Sequence, residues 1–370
     1  MKIESVTLRE IRMPLVAFFE TSFGRTEERR ILLLEARAEG HSGWSEVTCG
    51  ETPFYSHETT DTAAHILLDF ALPMVLGQNL QARDVPQKLR LIRGHAMARA
   101  AVENALWAIE AERAGQPLWQ TLGGTRAEIP CGVSIGIKNR PAELLEAIAR
   151  ELAAGYQRIK IKIKPGWDVE ILEQVRGRFP DIALMGDANS AYTLHDLAHL
   201  RRFDDFHLMM LEQPLWDDDI YFHAQLQREI QTPICLDESI HSVRDARQAI
   251  EIGACRIINI KLGRVGGYGM AREIEALTRQ AGVPVWCGGM LESGIGRAHN
   301  IAMSTLENFS LPGDVSASHR YWKEDIIEPA VTVTPRGTII APTMPGLGFG
   351  VKHELIQKLT VWEKTLTAKK

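Results

Sequence analysis

The sequence predicts an α/β fold, a (β/α)7β barrel of the TIM type with an N-terminal α+β capping domain. Between Lys162 and Lys261, charged residues end apolar runs at intervals of 24 or 25 residues, the length of one strand, one helix and two loops. Strands precede helices in the first third of the chain but alternate with them afterwards, as in an α+β unit followed by an α/β unit. A leucine-rich solenoid is disfavoured because no L-x-x-L-x-L pattern recurs.

The predicted domain limits lie where this alternation begins and ends. We expect the capping domain at 1–125, the barrel at 126–318, and a C-terminal tail at about 319–370 that completes the capping domain. A barrel of about 250 residues with an added domain suits a chain of this length.

The first domain is predicted to begin with antiparallel strands. KIESVTLREIRM alternates apolar and polar residues, RRILLLEARAE is a second run, and a glycine-containing turn precedes WSEVT. Residues 58–122 have the apolar spacing of helices. The loops at 17–25 and 50–58 should cover the barrel mouth with an apolar set that excludes water or packs the domain interface. This set comprises Phe18, Phe19, Phe23, Phe54 and Tyr55.

The barrel strands are predicted in order from Ile129. They are IPCGVSIGI, RIKIKIK, IALMGDAN, LMMLEQP, TPICLDES, IINIKLG, VPVWCGGM and FSLPGD, the last being a poor match to a strand. After a first helix in PAELLEAIARELAAGY, further helices are predicted at 168–178, 193–202, 217–230, 242–252 and 267–281.

The composition is that of an ordinary globular enzyme and excludes several other classes. Hydrophobic residues make up 45% and charged residues 24% of the chain, and the formal net charge is −5. We therefore expect no nucleic-acid partner, and the longest apolar runs are too short for a membrane span. Without a signal-peptide pattern, a cytoplasmic location is expected. The scattered cysteines should be buried free thiols. They are Cys49, Cys131, Cys235, Cys255 and Cys287.

Alternation in RIKIKIK should direct its isoleucines towards the helices and Lys160, Lys162 and Lys164 into the barrel. An exposed edge strand protected by lysines explains the motif alone equally well. The flanking helices favour the barrel because they leave no free edge.

Three acidic residues, Asp187, Glu212 and Asp237, end consecutive strands on the face where barrels carry their chemistry. Facing carboxylates repel one another and would require a cation. Oxygen ligands without His or Cys indicate Mg²⁺, with Mn²⁺ as a substitute. For any one of them, a helix N-cap or loop charge is the alternative.

Lys162 and Lys261 end strands on opposite sides of this pocket. From there each lysine can reach one face of the carbon next to a metal-bound carboxylate, as acid or base. A lone lysine at a strand end is more often a surface residue whose stem is buried.

These motifs resemble the enolase superfamily, muconate-lactonising subgroup, through KIK, GDAN, LEQP, LDES and NIKLGRVGG. PLVAFFETSFG, VPVWCGGMLESGIGRAHN, SLPGDVSAS and PGLG are similar to the o-succinylbenzoate synthase and N-succinylamino acid racemase family. The resemblance implies that the three carboxylates bind metal and that Lys162 and Lys261 are the acid/base pair. It implies supporting roles for Lys160, Asn189 and Glu238. Arg264 resembles a position of racemase-competent members, although it could equally be a loop arginine.

The resemblance also implies a set of substrate contacts, and the glycines after the seventh strand would let the backbone approach a succinyl chain closely. The implied contacts are Phe19, Phe23, Tyr55, Ser134, Gly289, Met290 and Leu291.

The expected function is removal of a proton α to a carboxylate of a small-molecule substrate, through an enediolate. Loss of a β-hydroxyl would give o-succinylbenzoate, as in menaquinone biosynthesis, and reprotonation on the other face would racemise an N-succinylamino acid. Alternative hypotheses within the same class of enzyme are a dipeptide epimerase and a muconate-type lactonising enzyme. An alternative outside this class is a non-catalytic barrel that acts as a scaffold or sensor. The physiological activity, the preferred amino-acid side chain, any homo-oligomer and the role of Lys164 stay open.

Overall fold

A computed structural model of the chain describes residues 1–368 and places most of its strands in two sheets. Seven consecutive strands form a curled parallel sheet, and four others form an antiparallel sheet in the capping domain. The predicted α/β class, with a barrel and an N-terminal capping domain, is confirmed.

The strands are numbered in chain order. They are β1 (Ile3–Glu20), β2 (Arg25–Ala38), β3 (His41–Val47), β4 (Glu128–Pro130), β5 (Gly132–Ile135), β6 (Arg158–Lys162), β7 (Leu184–Asp187), β8 (Met210–Glu212), β9 (Ile234–Leu236), β10 (Ile257–Ile260), β11 (Val285–Cys287), β12 (Ile327–Glu328), β13 (Thr338–Ile340), β14 (Gly350–Val351) and β15 (Thr360–Thr367).

The α-helices are numbered in the same way. They are α1 (Thr60–Ile66), α2 (Leu72–Val75), α3 (Val85–Lys88), α4 (Ala96–Arg113), α5 (Leu118–Thr121), α6 (Pro141–Ala153), α7 (Val169–Arg178), α8 (Leu197–Leu200), α9 (Tyr221–Glu229), α10 (Val243–Glu251), α11 (Leu262–Val265), α12 (Tyr268–Gln280), α13 (Gly294–Ser304) and α14 (His353–Leu359). Among residues 1–368, every helix is too short or too polar to cross a membrane.

The barrel strands β5 to β11 pair in parallel, each with its neighbours in the chain. The predicted eighth strand does not form a regular ladder, since Pro312 has no N–H to donate. Instead, single parallel bridges join Phe309 to Val285 in β11 and Gly313 to Cys131 beside β5. The segment 309–314 thus lies between the two end strands of the sheet.

Strand β6 is buried along its whole length and pairs with β5 on one side and β7 on the other. It is therefore an interior strand, and the exposed-edge explanation of RIKIKIK is wrong. The strand ends at Lys162. Lys164 was expected to face the barrel, but it lies beyond the strand and its Nζ is 3.5 Å from Glu20 Oε1 of the capping domain.

Most predicted barrel helices form within a few residues of their expected bounds. The helix expected at 217–230 starts at Tyr221, because Asp219 Oδ1 accepts a hydrogen bond from the Phe222 N–H and holds the preceding residues in a turn. The helix expected at 193–202 is divided into α8 and flanking 3-10 turns. A short helix not predicted from the sequence, α11, begins directly after Lys261.

The capping sheet has the order β15-β1-β2-β3, so the C-terminal strand β15 pairs with the N-terminal strand β1. The tail also contacts the barrel, where β13 pairs with β4. The expected loop at 17–25 is largely the end of the β1–β2 hairpin, in which Phe19 lies opposite Thr26. All five cysteines are buried and free, as predicted.

Candidate active site

The strand register places the predicted carboxylates at one level of the barrel. Lys162 lies beside Asp187, and Asp187 beside Glu212, at the carboxyl ends of β6, β7 and β8. Asp237 directly follows the last residue of β9. The carboxylates are at most 1% exposed, so each needs a charged or polar partner inside the protein.

Lys162, the last residue of β6, forms one side of the site. Its Nζ donates to Asp187 Oδ2 at 2.6 Å and to Asn189 Oδ1 at 2.7 Å. The amide nitrogen of Asn189 donates in turn to Glu238 Oε1 at 2.7 Å. The predicted supports Asn189 and Glu238 therefore lie in the hydrogen-bond network that positions the lysine.

Lys261 approaches from β10, and its Nζ is 2.8 Å from Asp237 Oδ2 and 2.9 Å from the Tyr55 hydroxyl of the capping domain. Arg264, one turn further along α11, pairs with Asp237 Oδ1 and donates to the same hydroxyl at 3.2 Å. Its guanidinium also donates to the backbone oxygens of Asn259 and Ile240. At 3% exposure Arg264 is a buried site residue, and the loop-arginine alternative is wrong.

Lys160 binds three carboxylates, including one that the strand pattern did not predict. Its Nζ lies 3.1 Å from Asp187, 3.0 Å from Glu212 and 2.7 Å from Asp314. Arg158 Nη1 holds the second oxygen of Asp314 at 2.7 Å. Asp314 ends the SLPGD segment, so the strand-tip rule that identified the other acids could have identified it.

Asn259 is a second residue of the site that the strand pattern did not predict. Its amide donates to Glu212 Oε1 at 2.7 Å. Gly288 makes room for it, because a Cβ at that glycine would stand 2.4 Å from Asn259 Oδ1. A polar residue within the apolar run IINI was the available signal.

The two lysines have different electrostatic environments. Burial lowers the pKa of Lys162 and outweighs the opposing effect of Asp187. Burial also favours a lower pKa for Lys261, but Tyr55 and Glu238 outweigh it and the pKa of Lys261 is raised. Lys162 is therefore the amine that more readily gives up its proton.

The carboxylates differ in the same way. Burial would raise the pKa of Asp187, yet Lys162 and Lys160 hold it well below its usual range. Burial and the adjacent Asp187 raise the pKa of Glu212. Burial also raises the pKa of Glu238 to about 7, against the effect of Lys261. Burial is therefore the main reason that the pKa values of Glu212 and Glu238 are raised.

The donor set fits a hard divalent cation, since the candidate ligands are all carboxylate oxygens. Glu238 Oε2 is buried and accepts no hydrogen bond, and Asp237 Oδ2 has only its ion pair with Lys261. Within residues 1–368, however, no three His, Cys, Asp or Glu side chains are gathered in a metal-binding arrangement. The carboxylates are turned instead towards lysine and arginine.

The predicted substrate contacts line two adjoining cavities together with Lys162 and Lys261. A cavity of about 510 Å³ is lined by Lys162, Lys261 and residues of both domains. A smaller cavity of about 50 Å³ is lined by the same two lysines and by Ser134. The larger cavity includes Phe19, Phe23, Tyr55, Gly289, Met290 and Leu291.

The remaining aromatic residues of the expected apolar set lie outside both cavities. The Phe18 ring packs under the guanidinium of Arg25 at 4.0 Å. Phe54 is 66% exposed and lines a separate open cavity next to Lys164. Neither residue lines a cavity with Lys162 and Lys261.

Comparison with known families agrees with this site. Residues 3–123 match the mandelate racemase / muconate lactonizing enzyme N-terminal domain, and residues 143–355 match the enolase C-terminal domain-like family. The chain belongs to the mandelate racemase and muconate lactonizing enzyme family of the enolase superfamily.

Individual relatives are similar over the whole chain. An o-succinylbenzoate synthase from Geobacillus kaustophilus is 51% identical, covering 98% of this chain and 97% of the relative. An N-succinylamino acid racemase from Thermus thermophilus is 45% identical with complete coverage of both chains. A crystal structure of an enolase superfamily member from Listeria innocua has a TM-score of 0.96 and 38% identity, with complete coverage of both. The family resemblance noted in the sequence is confirmed.

Proposed function

We propose that the protein is a metal-dependent enzyme that removes a proton α to a carboxylate, acting as an o-succinylbenzoate synthase, an N-succinylamino acid racemase, or both. The observation that carries the proposal is that Lys162 and Lys261, from β6 and β10, line the same cavities while each amine lies within 3 Å of a different strand-tip carboxylate.

In this proposal Lys162 is the base that takes the α-proton, because burial lowers the pKa of its amine. In dehydration, Lys261 keeps its positive charge and stabilises the enediolate from the opposite side. Lys162 then returns the proton to the departing β-hydroxyl, so that the elements of water are lost. In racemisation, Lys261 donates a proton to the other face, and for the opposite enantiomer the two lysines exchange roles.

Asp187, Glu212 and Asp237 would hold the metal, which we propose to be Mg²⁺ with Mn²⁺ as a substitute. The superfamily is metal-dependent. When bound, the cation supplies positive charge beside the substrate carboxylate. Lys160 keeps its own charge next to these acids, because Asp314, Glu212 and Asp187 raise its pKa against burial.

The relatives support both activities, because the synthase and racemase named above are similar along the full length of this chain. Both reactions share the first step, loss of the α-proton. A synthase would serve menaquinone biosynthesis. Neighbouring menaquinone genes would favour this role, whereas a neighbouring succinyltransferase and deacylase would favour the racemase.

We also propose the division into a capping domain at 1–125 with the tail at 319–370, and a barrel at 126–318. The pairing of β15 with β1 supports this division. The expected cytoplasmic location stays a prediction.

The test is to incubate the purified protein and Mg²⁺ with the β-hydroxy acid precursor of o-succinylbenzoate and, separately, with N-succinylamino acids. Formation of the aromatic product is followed by ultraviolet absorbance, and racemisation by polarimetry. Turnover of neither substrate, with the metal present and the protein folded, would contradict the proposal.

A further inference from the structure

The loop that follows β3 carries Tyr55 to the active site and is tethered at both ends. At its start, the Gly50 carbonyl accepts hydrogen bonds from the N–H and the hydroxyl of Thr60, at 2.8 and 3.1 Å. Near its end, Glu58 is 2% exposed, whereas residues 51–57 are exposed or half-buried. Glu58 is therefore the buried anchor of a loop that lies mostly in solvent.

The carboxylate of Glu58 binds the beginning of α4. Its Oε1 accepts a hydrogen bond from the Met97 N–H at 2.8 Å, and its Oε2 accepts one from the Ala98 N–H at 3.0 Å. These N–H groups lie in the first turn, where the helix itself has no carbonyl to offer them. His95, at the N-cap, has a left-handed φ of 47° and caps no N–H with its side chain. Glu58 thus takes the place of an N-cap side chain, with its negative charge at the positive end of the helix.

Helix α4 also holds the chain on the far side of Lys261. The short helix α11 begins directly after this lysine, and a Cβ at its Gly263 would stand 3.5 Å from the Met97 side chain. Further along α4, Glu103 accepts a hydrogen bond from the Gly269 N–H at 2.7 Å. One helix therefore supports both the Tyr55 loop and the segment that follows Lys261.

The Tyr55 hydroxyl connects these two parts of the structure. It is 2.9 Å from Lys261 Nζ, and it accepts a hydrogen bond from Arg264 Nη1 at 3.2 Å. The Lys261 ammonium also lies 4.5 Å from the centre of the Tyr55 ring, a cation–π distance. Because Tyr55 is three residues from Glu58, the place of its hydroxyl depends on the attachment of Glu58 to α4.

We propose that Glu58 is a positioning residue for the reaction. By fixing the Tyr55 loop to α4, it keeps the Tyr55 hydroxyl on Lys261 and holds the Lys261 ammonium on its face of the substrate carbon. This inference rests on the proposed function and adds to it a residue that lines neither cavity beside the lysines.

The expected effect is confined to one lysine. Lys162 donates its hydrogen bonds to Asp187 and Asn189, which both belong to the barrel. Loosening the Tyr55 loop should therefore displace Lys261 and leave Lys162 in place.

Two alternatives would give a different result. Glu58 could stabilise α4 without any effect on the lysines, in which case its loss would affect both faces of the substrate equally. Phe23, whose ring lies 6.2 Å from that of Tyr55, could hold the tyrosine instead. Phe23 is 38% exposed and lies in the β1–β2 hairpin, and in that case the loss of Glu58 would have no effect on exchange.

The experiment measures exchange of the α-proton in D₂O with Mg²⁺, as kcat/KM for each enantiomer of an N-succinylamino acid. The enantiomer whose exchange is lost in Lys261→Ala is the one that Lys261 serves. For this enantiomer, Glu58→Ala should lower exchange by about tenfold or more, as expected when a hydrogen bond to a charged group is lost. For the other enantiomer, the change should stay within about twofold, because Lys162 shares no partner with Glu58.

An equal loss for both enantiomers, or no loss for either, overturns the positioning role and leaves the proposed function intact. Exchange of neither enantiomer by the unmodified protein contradicts the proposed function itself.

Tyr55→Phe, which lacks the hydroxyl, shows whether Glu58 acts through Tyr55. Alone it should cause the same one-sided loss as Glu58→Ala. Combining the two substitutions should lower exchange by no more than about twofold beyond the more severe single variant, since changes that remove one shared contact are not additive. Losses that multiply would show that Glu58 acts independently of Tyr55, which overturns the proposal.

Asp204→Ala is the matched control. The Asp204 carboxylate accepts hydrogen bonds from the Gln231 N–H at 2.9 Å and the Thr232 N–H at 2.7 Å. These residues precede β9, at the end of that strand opposite to Asp237. Exchange of both enantiomers should stay near the parent rate. A one-sided loss in Asp204→Ala would show that it reports general loosening of the fold, and would overturn the proposal.

A second substitution covers the case in which circular dichroism shows that Glu58→Ala is unfolded. Glu58→Gln keeps the volume of the side chain and one acceptor oxygen, but its amide group cannot accept from the second N–H. A loss confined to the enantiomer served by Lys261 supports the positioning role, and an equal loss for both enantiomers or none overturns it.

Discussion

Lys162 and Lys261 line the same cavities, and each amine lies within 3 Å of its own strand-tip carboxylate, Asp187 for the first and Asp237 for the second. Strands β7, β8 and β9 separate the two lysine-bearing strands in the sheet order. This arrangement allows one lysine to act on each face of a substrate carbon.

The first prediction separates the roles of these lysines. Lys162→Ala and Lys261→Ala should each stop racemisation, because inversion needs a base on one face and an acid on the other. The remaining lysine should still exchange the α-proton of the enantiomer presented to it, giving deuterium uptake without inversion. The measurement is proton exchange in D₂O for each enantiomer of an N-succinylamino acid.

Lys164→Ala is the matched control for that experiment. Lys164 lies two residues beyond the end of the same strand, and its ammonium faces Glu20 rather than the lysine cavities. The Lys164→Ala variant should racemise an N-succinylamino acid at close to the rate of the parent protein. If Lys162→Ala or Lys261→Ala also racemises near that rate, the two-base scheme is wrong.

The second prediction concerns the metal. Chelation should abolish activity, and Mg²⁺ or Mn²⁺ should restore it, because Asp187, Glu212 and Asp237 would repel the substrate carboxylate and the enediolate formed from it unless a bound cation offsets that repulsion. Mg²⁺ should also raise the thermal unfolding temperature of the protein without substrate, since a ligand that binds the folded state stabilises it.

Asp187→Asn tests the location of the metal. This variant should lose both the restoration of activity and the Mg²⁺-dependent rise in unfolding temperature. Glu173→Gln, which removes an exposed carboxylate on α7, should keep both. Full activity after thorough chelation, or an unchanged thermal response in Asp187→Asn, would argue against a metal held by this trio.

The sequence could predict the site residues that follow regular strands, because a barrel brings all strand ends to one face. Asp187, Glu212 and Asp237 were found by their spacing alone. Asp314 was missed because Pro312 interrupts the strand pattern just before it. The bond from Lys261 to Tyr55 joins residues that are 206 positions apart, and no local periodicity encodes such a contact between domains.

Tail residues illustrate a second limit of the sequence. The alternating pattern stops near Ser318, which predicted a return of the chain to the first domain. The pairing of β13 with β4 on the barrel depends on three-residue strands, which are too short to show a period.

Arg264 shows a similar limit. Its position in the sequence is compatible with an exposed loop, and only the folded structure shows that its side chain is buried and paired with Asp237.

The third prediction concerns the positioning of Lys160 by Asp314. Asp314→Asn leaves the buried Arg158 without its carboxylate partner and removes one of the three carboxylates that bind Lys160. Breaking such a buried pair typically costs about 3–5 kcal/mol of unfolding free energy. Activity should also fall, since Lys160 is bonded to both Asp187 and Glu212. Urea denaturation and α-proton exchange measure the two effects.

Asp325→Asn is the control for this prediction, because the carboxylate of Asp325 is also buried but binds only neutral donors. These donors are the Gly294 N–H, the Ile326 N–H and the Ser318 hydroxyl. Its loss should cost about 1–3 kcal/mol and leave exchange in the folded protein near the parent rate. Equal activity in the two variants would show that Asp314 has no positioning role.

The fourth prediction concerns Glu46, which joins the capping strand β3 to the barrel helix α13. Its Oε2 accepts hydrogen bonds from the Ser293 N–H at 3.0 Å and the Ser293 hydroxyl at 2.6 Å, whereas Oε1 is buried without a partner. Burial, helped by the nearby Glu292, raises the pKa of Glu46 from 4.5 to about 8 despite the Ser293 hydrogen bond. The folded protein therefore keeps a proton that the unfolded chain releases above pH 4.5.

The sign of the effect follows from proton binding. Below about pH 4.5 both states hold the proton, and above about pH 8 neither does. Between these values the folded state binds more protons, so this group lowers the free energy of unfolding as pH rises, by up to about 1.4 kcal/mol per pH unit. Glu46→Gln keeps the acceptor oxygen but cannot ionise. The difference in unfolding free energy between Glu46→Gln and the parent should therefore move in favour of the variant from pH 5 to pH 8 and then level off. Urea denaturation across pH 5–9 measures it, and a difference independent of pH would show that Glu46 ionises equally easily in both states.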